Sequence, residues 1–437
     1  MRHVRSAACA LLTPAGVTEE RRGANGTAAV LADLITRGAG ERDSRQLSAE
    51  FDRLGIQSSE LAGVNFLSMH ASMLAEQVSA ALSLYAEILL RPHLDPAQIE
   101  PILAGMEQGL RAVEDEPQRR VLIELRRRCY PDPWGRPSEG TLAELEHIGI
   151  EEVRELFRKG VRPNGAIFGV AGNVEPERVA EQVEKLFAKW QRIPEPAQVV
   201  GAPGPPSDHL LQESAQMHIG LAAPAVPYGH ADYFKAWAAA SILSGGSSSR
   251  LFTELREKRG LCYSVHASLH SLKHDCRLLA YVGTSPPSEA PITKKKLEKQ
   301  VIKKKGKSAG VSKKRNPAEA IVDRAQLSLD LLIEELRRLP EGLQIDELDR
   351  CKARAKSELI MQQESTGSRA STLTRDWYHL NRVQTLPELR SIVDALTIDD
   401  VAGYLHQHPF TPSTLLTIGP KPLHIPNGLS GDDLLSK

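Results

Sequence analysis

Two short stretches of this sequence recur in the same order, roughly half a chain apart. Ser44-Arg45-Gln46-Leu47, then Glu50-Phe51-Asp52-Arg53-Leu54-Gly55-Ile56, is answered by Ser249-Arg250-Leu251-Phe252, then Glu254-Leu255-Arg256-Glu257-Lys258-Arg259-Gly260-Leu261. Ser44 to Ser249 and Gly55 to Gly260 are both offsets of 205, while Glu50 to Glu254 is 204. Leu82-Ser83-Leu84 returns as Leu327-Ser328-Leu329 at an offset of 245, the excess coming mostly from a lysine-rich stretch in between. A unit this long is not a solenoid repeat. It predicts a duplicated domain: α+β, two homologous copies of roughly 200 residues, each an antiparallel sheet with helices packed on one face.

The join between the copies is legible too. Arg192 to Ser207 holds five prolines and two glycines, with neither helical period nor alternation. That composition suits a linker. The expected organisation is an N-terminal domain over 1–191, a linker over 192–210 and a C-terminal domain over 211–425. Apolar periodicity predicts helices near 26–37, 44–53, 73–91, 95–115, 117–129, 148–159 and 175–190 in the first copy. In the second it predicts them near 230–244, 248–258, 317–338, 343–364, 366–382 and 397–406. Strand-like stretches lie near 6–12, 56–71, 164–171, 215–222, 261–271, 276–283 and 412–418.

The chain has 437 residues, 55 basic and 55 acidic, so no overall field favours nucleic acid or an anionic membrane. The balance conceals an insertion at about 286–316: Lys294 to Arg315 carries eleven Lys/Arg and one acid. Without it the rest holds 44 basic and 54 acidic residues, a net −10. Like charges this dense predict a solvated loop, and the missing aromatics argue against nucleic-acid binding. No apolar run approaches the ~18 residues of a membrane span. The basic Met1 to Arg5 precedes only six apolar residues, Ala7 to Leu12, short of a signal peptide's core. Five scattered cysteines without a Cys-x-x-Cys pair read as free thiols in a reducing compartment.

The most specific chemistry follows Gly245-Gly246. A helix is expected through Arg256, ending at Gly260, and a strand from Leu261 to Val265. Arg256 near the helix end and Tyr263 in the strand can converge, and a guanidinium with a phenol can stabilise charge on a carbonyl oxygen. The same residues also suit a solvated arginine and a half-buried strand tyrosine. His266, His270 and His274 recur every fourth residue, but in a strand ~13 Å separates such positions, too far to share an ion.

The segment from Ser247 to Val265 resembles the C-terminal half of the pitrilysin/insulinase family of zinc peptidases, which includes mitochondrial processing peptidase and the core proteins of the cytochrome b–c complex. Gly172-Asn173-Val174, Pro227 to Tyr233, Gly283-Thr284, Glu347 to Lys352 and Glu364 to Ala370 fit the same pattern. The resemblance implies that Arg256 and Tyr263 bind substrate and assist the transition state. Active members also carry His-x-x-Glu-His on a first-domain helix, with a distal glutamate as third zinc ligand. Here the flanking glycines Gly26 and Gly38 align Ala29, Ala32 and Asp33 with the His, Glu and His positions, and the distal region offers Gln108 and Gly109, with Glu107 one residue away. No His-x-x-Glu-His or its inverse occurs in the chain.

The resemblance therefore implies a zinc-less subunit of a heterodimeric metallopeptidase. It would bind no cofactor itself, hold unfolded peptides, and lend Arg256 and Tyr263 to a partner bearing zinc and His-x-x-Glu-His. The alternatives are a scaffolding subunit like the core proteins, or an autonomous zinc endopeptidase. The family has a further strand ahead of Ser6 to Leu12. The expected location is the cytoplasm, or an exported or organellar one if the natural chain starts upstream.

Overall fold

The structure is a computed structural model and describes residues 1–286 and 323–425. The expected basic insertion lies outside the described residues. In chain order the first half forms β1 (Ser6–Thr13), α1 (Thr27–Leu34), β2 (Gly38–Ala39), β3 (Arg42–Asp43), α2 (Ser44–Leu54), β4 (Gln57–Ala62) and β5 (Leu67–Leu74). It continues with α3 (Val78–Leu90), α4 (Ile99–Glu114), α5 (Pro117–Cys129), α6 (Ile150–Gly160), β6 (Ile167–Gly172) and α7 (Pro176–Phe187). The second half forms β7 (Ser207–Leu211), β8 (Met217–Ala225), α8 (Tyr233–Ser244), a π-helical stretch (Phe252–Glu257), β9 (Cys262–Ser271) and β10 (Cys276–Thr284). After the undescribed segment come α9 (Arg324–Arg338), α10 (Ile345–Glu364), α11 (Thr366–Leu380), α12 (Leu386–Ala395), α13 (Ile398–Gln407) and β11 (Thr414–Gly419).

The fold is α+β with two compact units. The first unit holds a four-stranded antiparallel sheet in the order β4-β5-β1-β6. One face buries Cys9, Leu11, Met69 and Ala71 against Leu31 and Leu34 of α1, Leu47 and Phe51 of α2, and Leu82 and Ile88 of α3. The second unit holds a five-stranded sheet, β7-β11-β8-β10-β9, antiparallel except for the β11–β7 pair. Its core joins Ile219, Leu221, Leu278 and Val282 to apolar residues of α8, α9 and α13.

In both units the helices also reach the second face, beyond the single covered face expected. Each unit takes that covering helix from the other half of the chain. Residues 116–129, containing α5, belong with the second unit, and residues 357–385, containing α11, with the first. Helix α11 lies on β1 and β6, where Ala8, Ala10, Ala171 and Ala370 form a layer of small residues. Helix α5 lies on β8 and β11. A glycine marks each close approach. A Cβ on Gly169 would stand 2.7 Å from Thr374 Cγ2, and one on Gly220 3.0 Å from Val121 Cγ2. Two contiguous halves on either side of a linker therefore do not describe the packing.

The expected linker also ends early. Ser207–Leu211 is a strand that pairs in parallel with β11, and Asp208 receives Arg128 of α5 at 2.6 Å. An edge position suits a strand that follows prolines. Helix α12 was not expected either. Its proline, Pro387, sits in the first turn, where the missing N–H has no intrahelical partner to lose.

Candidate functional site

Helix α1 presents the positions aligned with the zinc motif. Its start is fixed by Glu20, whose carboxylate accepts from the N–H groups of Gly26 (3.1 Å) and Ala28 (2.7 Å). Burial pushes that carboxyl up to about 7, against the pull of the same hydrogen bonds. Gly26 has φ +115, open to glycine at little cost. Along the helix Ala29 is half-buried and Ala32 is buried, and neither carries a donor atom. Asp33 is exposed and accepts from Arg37 Nε at 2.7 Å, an i,i+4 pair. On α4, Gln108 and Gly109 are exposed, and Glu107 pairs with Arg111 at 2.6 Å. A catalytic zinc needs three protein ligands. Two methyl groups, an arginine-bound carboxylate and an amide do not supply them. Among the described residues no group of three or more His, Cys, Asp or Glu is placed to hold a metal ion.

The second unit brings Arg256 and Tyr263 together. Arg256 lies in the π-helical stretch, where the Lys258 N–H reaches back five residues to the Thr253 carbonyl at 2.9 Å. The expected helix is present but wound more widely. It ends at Gly260, which has φ +59. In β9 the register then slips: Ser264 faces Gly283 and Cys262 faces Thr284, leaving Tyr263 as the unpaired residue of a bulge. A bulge turns its extra side chain out of the sheet's alternation. Tyr263 is accordingly 80% exposed, not half-buried. The Arg256 guanidinium sits 4.9 Å from the Phe252 ring centre and 5.9 Å from that of Tyr263, within cation–π range of both. It therefore approaches the tyrosine over its ring.

The arginine of the Ser-Arg-Leu stretch has a structural task that the sequence reading did not assign. Arg250 grips Glu347 of α10 with two parallel bonds, Nε to Oε1 at 2.8 Å and Nη2 to Oε2 at 2.7 Å. Burial raises the Glu347 carboxyl, but the fork outweighs it and holds the group below its ordinary value. This pair ties the turn before the π stretch to α10. Among the three spaced histidines, His266 and His270 lie on β9, while His274 falls in the turn beyond it.

Comparison with known proteins agrees with this fold. The family model described as "Insulinase (Peptidase family M16)" matches residues 2–141, and that described as "Peptidase M16 inactive domain" matches residues 147–315. The chain belongs to this family, the pitrilysin or M16 peptidases. A Bacillus subtilis protein named uncharacterized zinc protease YmxG is 24% identical over 409 residues, covering 92% of this chain and 90% of that one. An uncharacterized zinc protease of Rickettsia felis is 22% identical over 429 residues, covering 97% and 94%. A crystal structure of a peptidase M16 inactive domain from Pseudomonas fluorescens superposes with a TM-score of 0.79 at 19% identity, covering 98% of this chain and 95% of that one. A protease from Helicobacter pylori gives 0.78 at 18% identity, covering 95% and 94%. No helix among the described residues is long and apolar enough to cross a membrane.

Proposed function

We propose that this chain is the zinc-less subunit of a heterodimeric M16 metallopeptidase. It binds an unfolded peptide and lends Arg256 and Tyr263 to a homologous partner that carries His-x-x-Glu-His and zinc. The observation that carries this reading is the contrast between the two sites. The Arg256 guanidinium lies 5.9 Å from the Tyr263 ring centre, the two residues on two local irregularities and the tyrosine open to solvent, while α1 offers Ala29 and Ala32 where metal ligands would be needed. The guanidinium and phenol can donate hydrogen bonds to a peptide carbonyl and to the oxyanion formed when water adds to it. Neither group activates that water, which on this reading falls to the partner's zinc. The five cysteines are all buried free thiols, Cys9, Cys129 and Cys276 pushed up to about 12 by burial. Inert thiols without disulfides suit a cytoplasmic location.

The test is to mix the chain with a zinc-bearing M16 subunit and follow cleavage of an unfolded peptide. The chain alone should hold no stoichiometric zinc after dialysis and cleave nothing. The mixture should cleave faster than the zinc subunit alone, and Tyr263→Phe should remove ~10²–10³-fold of turnover at equal complex formation. Equal turnover with Tyr263→Phe would make the pair a relic and favour a scaffolding subunit. Chelator-sensitive cleavage by the isolated chain would overturn both.

A further inference from the structure

Beneath Tyr263 lies a cavity of ≈ 590 Å³ whose lining residues all belong to the second unit. It opens on the face of the sheet that α5 covers. The start of α5 forms one wall with Glu116, Gln118, Arg119 and Leu122, its charges of opposite sign standing on the wall, and the floor is made by His218 of β8 and Tyr281 of β10. Strand alternation sends these two side chains away from the core formed by Met217, Ile219, Ala280 and Val282. His218 is 5% exposed and Tyr281 2%.

The floor is a coupled polar pair. His218 Nδ1 and the Tyr281 hydroxyl are 2.8 Å apart, and the rings stack with centres 6.0 Å apart. Gly283 makes room for this arrangement, since a Cβ there would stand 2.6 Å from the Tyr281 hydroxyl oxygen. Burial lowers the His218 imidazole below its ordinary value and pushes the Tyr281 phenol up to about 12, so both are neutral near pH 7. In one tautomer the phenol donates to Nδ1 and Nε2–H is left as a donor. In the other, Nδ1–H donates to the phenol oxygen, leaving Nε2 as an acceptor, while the phenol proton turns to Ser264 or to a guest. Either way a hydrogen-bonding function is left for a guest, with no ionised group at the floor. A buried neutral floor of this kind disfavours a charged guest and rewards one that can complete its hydrogen bonding.

We propose that this cavity is a side-chain subsite for the bound peptide, selecting a bulky uncharged residue with a hydrogen-bonding tip, tyrosine foremost. The proposal rests on the peptide-binding reading above. A peptide held at Arg256 and Tyr263 would have a neighbouring side chain over the cavity mouth. The Tyr263 ring would flank the guest, and the His218–Tyr281 pair would meet its hydroxyl.

The test is fluorescence anisotropy with the full chain and fluorescein-labelled unstructured dodecapeptides that differ at one central position: Tyr, Phe, Ala or Asp. The tyrosine peptide should bind about five- to tenfold tighter than the phenylalanine peptide, with Ala weaker and Asp weakest. Tyr281→Phe should bring the Tyr and Phe peptides together. Gln216→Trp, at the exposed rim, should narrow the mouth and reduce Tyr and Phe toward Ala without disturbing the buried pair. Peptides that bind equally well whatever the guest, or a Tyr preference unchanged in both variants, would overturn the subsite and leave the peptide-binding reading standing. No binding by any peptide would overturn both.

Discussion

The two copies of the repeated segment fold differently. In the first unit, α2 is a regular helix with a reciprocal cap between Asp43 and Gln46, and it ends at Gly55. The strand that follows, β4, pairs with β5 without a slip. In the second unit the same stretch contains the π-helical turn, and the strand that follows carries the bulge at Tyr263. The buried residues show the origin. Leu47 to Leu251 and Phe51 to Leu255 are offsets of 204, but Gly55 to Gly260 is 205. The second copy thus carries one extra residue between its last core contact and the terminating glycine. A π turn absorbs one extra residue without shifting the buried face. The two irregularities fall on Arg256 and Tyr263. The copy without them presents no comparable pair, which teaches that the second unit departs from regular geometry where the proposed chemistry sits.

The strongest way to break this comparison is to make the second copy like the first. Deleting Lys258 should convert the π stretch to an ordinary helix and turn Arg256 away from Tyr263. Turnover of the mixed complex should fall ~10²-fold or more, close to the loss from Tyr263→Phe. Melting temperature should move by less than ~5 °C, since the buried Leu251 and Leu255 keep their places. Unchanged turnover would show that the irregular geometry is incidental.

A smaller effect separates the two arginines of the repeat. Arg250 is tied to the mostly buried Glu347, whereas its counterpart Arg45 is exposed. Arg250→Ala leaves a buried carboxylate without its fork, and should destabilise the second unit by about 3 kcal/mol in denaturant unfolding. Arg45→Ala should stay within about 0.5 kcal/mol. Similar values for both would remove the anchoring role given to Arg250.

The exchanged helices offer a finer comparison. Opposite Gly220 the nearest atoms are the ends of the Val121 and Leu125 side chains, which can yield. Opposite Gly169 they include the Ala370 carbonyl oxygen at 3.0 Å, which cannot. Gly169→Ala should therefore cost about 1–3 kcal/mol and Gly220→Ala less than about 1 kcal/mol. The reverse order in urea midpoints would mean that α5, rather than α11, is the more tightly seated.

Much of this was legible in the residues. The strands β1, β6, β8, β9, β10 and β11 fall on expected strand-like stretches, the single stretch expected at 56–71 divides into β4 and the start of β5, and most helices follow their period. The destinations of α5 and α11 were not legible, because an amphipathic pattern says that a helix buries one face but not against which sheet. The His218–Tyr281 pair was also hidden. Met217 to Ala223 is buried throughout, so β8 has no polar alternation to show which face a histidine takes. The π turn and bulge did leave a trace in the changing offsets of the repeat, 204 against 205. That the aligned helix positions Ala29 and Ala32 carry no donor atom was plain from the residue types alone.

The smallest expected effect concerns the strand after each repeat. At an offset of 205 the first unit has Glu60 where the second has Val265, so only the first carries an ionisable group there. One oxygen of Glu60 is buried without a hydrogen-bond partner. Burial raises its carboxyl, a hydrogen bond from Ser58 opposes this, and the charge of Asp33 adds to the rise, leaving it at about 7. Between the ordinary value of 4.5 and about 7 the folded chain then holds more proton than the unfolded one. Stability in the first unit should fall as pH rises through that window and level off above it. Partial exposure reduces the effect to roughly 1 kcal/mol. Glu60→Gln keeps the shape and removes the titration, so it should flatten the pH dependence of the urea midpoint and raise stability at pH 7.5. Asp33→Asn should flatten it in part, since Asp33 supplies only the smaller share of the shift. An unchanged slope in Glu60→Gln would assign the pH dependence to another group, with the similarly raised Glu20 next in line.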